Sequence, residues 1–149
     1  MLKKLLTERM IGFSQKKLGW KEAIQDAAAP LLRAQHISED YVHAMIQNIE
    51  AFGPYVIIGP GVAIPHARPE QGAYQVGMSL LKLEQPTYFL DKEEHKIQLI
   101  ICLAAPDATS HLKALAQLTR LLSNPSALQV LQTAQRKEDV LSLIEKYST

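Results

Sequence analysis

Two histidines and one arginine carry the chemistry this sequence can offer. His66 lies in the run Gly59-Pro60-Gly61-Val62-Ala63-Ile64-Pro65-His66-Ala67-Arg68-Pro69. A segment this rich in Gly and Pro has little freedom to lose on folding. Pro65 restricts Ile64 to extended geometry, and Pro69 does the same to Arg68. His66 is therefore presented on a stiff segment at the end of a short apolar piece. If that segment stays extended, His66 and Arg68 point to the same side. A neutral imidazole nitrogen can attack phosphorus near neutral pH, since its ordinary pKa is about 6.5. The product carries roughly two negative charges, and a guanidinium binds such oxygens with directed hydrogen bonds. Taken alone, the same residues also read as an ordinary loop histidine beside a surface arginine.

His111 is the second candidate. It falls near the start of a Leu-rich helix expected from about Ser110, where unpaired N–H groups and the positive dipole end favour anions. Thr109 and Ser110 add hydroxyl donors there, although either also serves as a plain N-cap. His36, His43 and His95 fall in a connection, off an apolar stripe and in a charged loop, and read as solvated. Cys102 sits within Leu99-Ile100-Ile101-Cys102-Leu103, an apolar strand that makes a thiol inert. No HExxH, paired CxxC, GxSxG, Walker A or dinucleotide fingerprint occurs, so no metal or cofactor is expected and a nucleotide-binding kinase is disfavoured.

The bulk properties agree. The 149 residues suit one domain, 1–149. With 16 Lys plus Arg against 15 Asp plus Glu, the net charge of +1 gives no basic surface for nucleic acid. The single cysteine excludes an internal disulfide and suits a reducing compartment. Met1–Glu8 lacks the apolar core and cleavage site of a signal peptide. No run approaches the ~20 apolar residues that span a bilayer. A cytoplasmic location is expected.

The elements that must position these side chains follow from periodicity. Met10–Phe13 reads as a short strand. Trp20–Ala34 has apolar residues at helical spacing, with Pro30 expected to kink or break it. Ser38 caps a second helix that Gly53-Pro54 stops. Tyr55–Ile58 reads as a buried strand, Val62–Ile64 as a brief extended piece and Val76–Leu83 as a strand. A turn at Glu84-Gln85-Pro86 leads to an extended Thr87–Leu90. Ile97–Ala104 is nearly continuous in apolar residues, as in a strand buried on both faces. Helices follow from about Ser110 to Leu122, after the Asn124-Pro125 cap, and from about Lys137. This order predicts an α/β fold: a single-domain mixed sheet flanked by helices on both faces.

These residues together resemble the fructose/mannitol family of enzyme IIA domains of the sugar phosphotransferase system. The likeness rests on an apolar segment ending in Ala63-Ile64-Pro65-His66, a strand ending in Ala104-Ala105-Pro106, and Ser110-His111-Leu112 opening a Leu-rich helix. It spans residues 10–145 or so. The resemblance implies a phosphoryl carrier in which His66 is phosphorylated and His111 is the second active-site histidine. It implies phospho-HPr as donor, a cysteine of an enzyme IIB domain as acceptor, and the membrane component IIC as an indirect partner. Mannitol-type members carry an arginine at the place of Asn48, so Arg68 is expected to supply the positive charge here. Gly53-Pro54-Tyr55, Gly59-Pro60-Gly61 and Pro65–Gly72 look like the ascorbate-type subgroup, which points to L-ascorbate as the transported substrate. A pentitol, galactitol, fructose or mannitol system, or a regulatory IIA-like domain, is the alternative. A homo-oligomer is left open. The docking rim around His66 is expected to include Leu112, Val62 and the Gly59–Gly61 turn.

Overall fold

The computed structural model describes residues 2–147; Met1, Ser148 and Thr149 of the expected domain lie outside the described residues. The chain forms six α-helices and five strands among these residues. In order they are α1 (Leu2–Leu5), β1 (Ile11–Ser14), α2 (Trp20–Arg33), α3 (Glu39–Phe52), β2 (Ile57–Gly59), β3 (Gly61–Ala63), β4 (Gly77–Tyr88), β5 (Lys96–Ala104), α4 (Ala108–Leu122), α5 (Pro125–Thr133) and α6 (Lys137–Tyr147). The strands make one mixed sheet in the order β1-β4-β5-β3-β2. β1 runs parallel to β4 and β3 parallel to β5, while β4–β5 and β2–β3 are antiparallel.

β5 sits at the centre because its side chains are apolar on both faces. Every residue from Leu99 to Ala104 is buried. On one face, Ser79 of β4 donates its hydroxyl to the Ala27 carbonyl of α2. There Gly77 lies so close to Leu31 of α2 that a Cβ would meet it at 2.7 Å. α4 and α5 also pack on β5, and α1 docks on α4, α6 and β4. The expected mixed sheet flanked by helices is thus the observed fold.

Several boundaries differ from the sequence-based expectation. Pro30 neither breaks nor ends α2, which runs on to Arg33. The N–H it lacks would have met the carbonyl of Asp26, an exposed residue whose backbone water can satisfy. Glu84-Gln85-Pro86 is no turn. β4 continues through it, with a register shift against β5 between Lys82 and Thr87. β1 has already ended opposite Leu83, so Pro86 lies where no ladder bond is required. The extended piece stops at Tyr88, and Phe89–Asp91 closes in a 3-10 turn that buries Phe89 against Trp20, ring centroids 5.8 Å apart. Tyr55–Ile58 is not a buried strand: β2 is the sheet edge, and Tyr55 and Ile58 are both exposed.

The segment after the His66 loop is tied to the start of α3. Ser38 caps α3, its Oγ accepting from Tyr41 N–H at 3.3 Å, and its own N–H donates to the Gly72 carbonyl at 2.9 Å. Gly72 has φ +131°, and a Cβ there would lie 2.1 Å from Ser38 Oγ and 3.2 Å from the Tyr41 backbone nitrogen. Gly72→Ala therefore combines backbone strain with loss of the cap. We expect it to lower the unfolding free energy by about 2–4 kcal/mol, read as a lower urea midpoint at unchanged slope.

Candidate active site

His66 follows β3, where the chain leaves the sheet beside the C-terminal end of β5. The backbone there is tied at nearly every residue. Ile64 N–H donates to the Val56 carbonyl at 2.8 Å, and Leu103 N–H of β5 donates to the Pro65 carbonyl at 3.1 Å. Ala67 N–H donates to the Tyr41 hydroxyl at 3.0 Å, and Arg68 N–H donates to Gln71 Oε1 at 2.9 Å. The Tyr55 hydroxyl donates to the His66 carbonyl at 3.2 Å. The stiffness expected from Pro65 and Pro69 is thus reinforced by five residues: Tyr41, Tyr55, Val56, Gln71 and Leu103.

The His66 ring is fixed as well. Its Nδ1 lies 2.8 Å from the Ile64 carbonyl oxygen. A carbonyl only accepts, so in the neutral ring this contact assigns the proton to Nδ1 and the lone pair to Nε2. Tyr55 meets the ring edge-on at a centroid distance of 5.5 Å. His111, in the first turn of α4, faces it at 5.2 Å. Burial and, secondarily, the neighbouring His66 push the pKa of His111 below its ordinary value. It is therefore held in the neutral form near pH 7.

His66, Arg68 and His111 line one open cleft of about 510 Å³, together with Asn48, Phe52 and Tyr55. No carboxylate lines it, and Arg68 has no ion-pair partner among the described residues. The wall is apolar. Phe52 is 77% and Leu112 65% exposed, large values for such side chains outside an interface. The rim expected from the sequence is corrected in two places. Val62 is buried inside the sheet, and the Gly59–Gly61 turn lines a separate depression.

The start of α4 is also corrected. The helix begins at Ala108, not Ser110, and its cap is Asp107. Asp107 Oδ1 accepts from Ser110 N–H at 2.7 Å, and these amide bonds hold its carboxyl below the usual range. The Asp107 carboxylate therefore already takes the Ser110 amide that the helix start would otherwise offer to an anion. Asn48 stands where the resemblance expected an arginine, and it does line the cleft. It donates to Gln71 Oε1 at 3.4 Å and bonds the Tyr55 hydroxyl. Burial nevertheless raises the pKa of Tyr55.

Sequence reasoning missed Tyr41, Tyr55 and Phe52 as site elements. Tyr41 belongs to the buried apolar face of α3. Only its hydroxyl, at the far end of a buried ring, reaches the loop. Phe52 offered a sign in the sequence: an aromatic in the last turn of a helix, just before its Gly-Pro stop.

One open cleft of about 510 Å³ on this mixed α/β fold thus brings together His66, the facing His111 and Arg68, which has no ion-pair partner among the described residues. A family model described as "Phosphoenolpyruvate-dependent sugar phosphotransferase system, EIIA 2" matches residues 4–147. The chain belongs to that family, whose enzyme IIA components are phosphoryl carriers. It is 43% identical over 127 residues to the mannitol-specific cryptic phosphotransferase enzyme IIA component of Escherichia coli K12, covering 85% of this chain and 86% of the relative. It is 32% identical over 128 residues to the ascorbate-specific PTS system EIIA component of the same organism, covering 85% and 83%. The solution structure of the E. coli mannitol-specific cryptic enzyme IIA CmtB superposes with a TM-score of 0.90 at 39% identity, covering 97% of this chain and 98% of that one.

The lowered pKa of His111 makes stability depend on pH. The unfolded chain binds a proton on this side chain more readily than the folded one. Stability is therefore greatest where His111 is neutral in both states and falls as the pH drops through the ordinary histidine value of about 6.5. His111→Asn is expected to flatten the fall in Tm between about pH 7.5 and about pH 5.5, measured by thermal unfolding in matched buffers.

Proposed function

We propose that His66 takes a phosphoryl group from phospho-HPr on Nε2 and yields it to a cysteine thiolate of an enzyme IIB partner. The observation that carries this is the 2.8 Å bond from Nδ1 to the Ile64 carbonyl. It leaves Nε2 as a lone-pair nucleophile aimed at an open cleft. In the first step a bond forms from Nε2 to phosphorus as the bond from phosphorus to the donor histidine of HPr breaks. In the second, the thiolate forms a bond to phosphorus and Nε2 leaves with its electron pair. His66 needs no external base, because Nε2 carries no proton to lose.

Catalysis then consists of positioning and charge neutralisation. Arg68 neutralises the phosphoryl oxygens in the place that Asn48 leaves uncharged. Neutral His111, 5.2 Å across from His66, donates a hydrogen bond without adding a second cation. The exposed rim of Phe52, Tyr55 and Leu112 suits brief docking of two different proteins in turn, as small transient interfaces do. In this reading the cycle runs in the cytoplasm, with a membrane IIC component as the indirect partner.

For the transported substrate, the 43% identity to the mannitol-type relative supports a polyol system. The ascorbate-type reading expected from the Arg-Pro-Glu stretch is the second reading, supported at 32%. The substrate never enters this cleft, so the IIB partner discriminates the two. The test is onward transfer. The chain, phosphorylated with enzyme I, HPr and phosphoenolpyruvate, is offered separately to mannitol-type and ascorbate-type IIB domains. Transfer to the first alone supports the polyol reading, transfer to the second alone supports ascorbate, and transfer to neither overturns both.

A further inference from the structure

We propose that Tyr41 is a positioning residue for phosphoryl transfer, a reading that rests on His66 being the phosphorylated side chain. Tyr41 is fully buried on α3, 26 residues before the loop it serves. Its hydroxyl donates to the Leu103 carbonyl at 2.7 Å, near the C-terminal end of β5. The same oxygen accepts from Ala67 N–H at 3.0 Å. The Ala67 carbonyl lies 3.2 Å away, but the single hydroxyl proton is directed to the shorter contact. One atom thus joins three elements: α3, the end of β5 and the residue next to the nucleophile.

The consequence for His66 follows from what lies on either side of it. Before it, Pro65 is held to β5 by Leu103 N–H. After it, among the described residues, Ala67 is tied to β5 through the Tyr41 hydroxyl, which accepts from its N–H and donates to the Leu103 carbonyl. The His66 backbone accordingly lies between two ties to Leu103, one direct and one bridged, with its own carbonyl held by the Tyr55 hydroxyl. This span sets the distance from Nδ1 to the Ile64 carbonyl, and so both the tautomer and the aim of Nε2. The bridge also occupies the Ala67 amide, which keeps that donor turned into the core. The burial of the ring raises the pKa of Tyr41 far above the range in which it could ionise in a cell. The hydroxyl remains a neutral donor and acceptor throughout the cycle, as a permanent strut requires.

Tyr41→Phe removes the strut and keeps the ring. Thr87→Val is the control. It deletes another buried hydroxyl, the one that donates to the Leu18 carbonyl at 2.9 Å, at the opposite end of β4 and β5 from the site. Both variants should lose some thermal stability. Rates of phosphorylation by phospho-HPr are measured well below both unfolding temperatures. Tyr41→Phe should lower kcat about 10- to 100-fold with little change in KM for phospho-HPr, while Thr87→Val keeps the wild-type rate. In ¹⁵N NMR of the imidazoles, wild-type His66 should show a protonated Nδ1 and a bare Nε2. Tyr41→Phe should shift both signals towards a mixture of tautomers. A Tyr41→Phe protein with unchanged kcat and an unchanged His66 signature overturns the proposal and leaves the carrier reading intact. A fall in kcat of the same size in Thr87→Val also overturns it, since general destabilisation then accounts for both. A wild-type chain that takes up no phosphate overturns the carrier reading itself.

Discussion

His66→Ala is expected to take up no acid-labile phosphate when incubated with enzyme I, HPr and phosphoenolpyruvate, a loss of at least about 10⁴-fold of the kind that follows removal of a nucleophile. The size follows from the geometry. Nothing else in the cleft combines a fixed tautomer with a free lone pair. His111 faces the same space, but its position is set by the first turn of α4, 5.2 Å from the His66 ring, and no hydrogen bond in the described structure fixes which of its nitrogens is bare. The substitution removes one side-chain hydrogen bond from a partly buried site, so stability should change by only about 1 kcal/mol. Retention of the fold, checked by the denaturant midpoint, makes the loss attributable to chemistry. Radiolabel incorporation followed by acid treatment is the measurement.

Arg68→Ala should retain labelling but at a rate reduced about 10²- to 10³-fold, the range seen when one charge-stabilising donor is removed from a preorganised site. Arg68 is the only Lys or Arg that lines the cleft among the described residues. Asn48, at the other wall, hydrogen-bonds to Gln71 and Tyr55 and offers no charge. The incoming phosphoryl group brings roughly two negative charges, which in a partly desolvated site require a cationic partner. Arg68→Lys should recover part of the rate, because an ammonium supplies charge without the planar fork. Stopped-flow or quenched labelling at saturating phospho-HPr separates a fall in kcat from a change in docking. A rate for Arg68→Ala equal to wild type removes the guanidinium from the account.

The parts of this molecule that were legible in its sequence are those governed by local rules. β5 announced itself as an unbroken apolar run because it is covered on both faces. Ser38 and Asn124-Pro125 marked helix starts because capping chemistry is local. The Gly- and Pro-rich stretch around His66 marked a stiff loop for the same reason. What was not legible depends on packing between distant segments. Pro30 looked like a break, yet its helix is held by the sheet beneath it. Pro86 looked like a turn, yet β4 runs through it because its neighbour on one side has ended. The edge position of β2 exposes Tyr55 and Ile58, and nothing in Tyr55–Ile58 itself distinguishes an edge from a centre.

The same division runs through the site. His66 and Arg68 share a stiff segment, so their common side could be read from alternation along the chain. That His111 meets them depends on β5 delivering α4 to the same end of the sheet. Asp107 shows the limit of motif reasoning: either Thr109 or Ser110 would have served as a cap, but the carboxylate one turn earlier takes that place. The hydroxyl of Tyr41, which bridges α3 to the loop and β5, lies beyond any pattern of hydrophobic spacing.

In the proposed relay, Nε2 of His66 is the atom that carries the phosphoryl group. The most direct measurement is ³¹P and ¹⁵N NMR of the wild-type chain after incubation with enzyme I, HPr and phosphoenolpyruvate. The expected result is a single acid-labile phosphohistidine, with phosphorus coupled to Nε2 of His66 and the Nδ1 proton retained. Phosphate on His111, phosphate on Nδ1 of His66, or no phosphohistidine at all would contradict it.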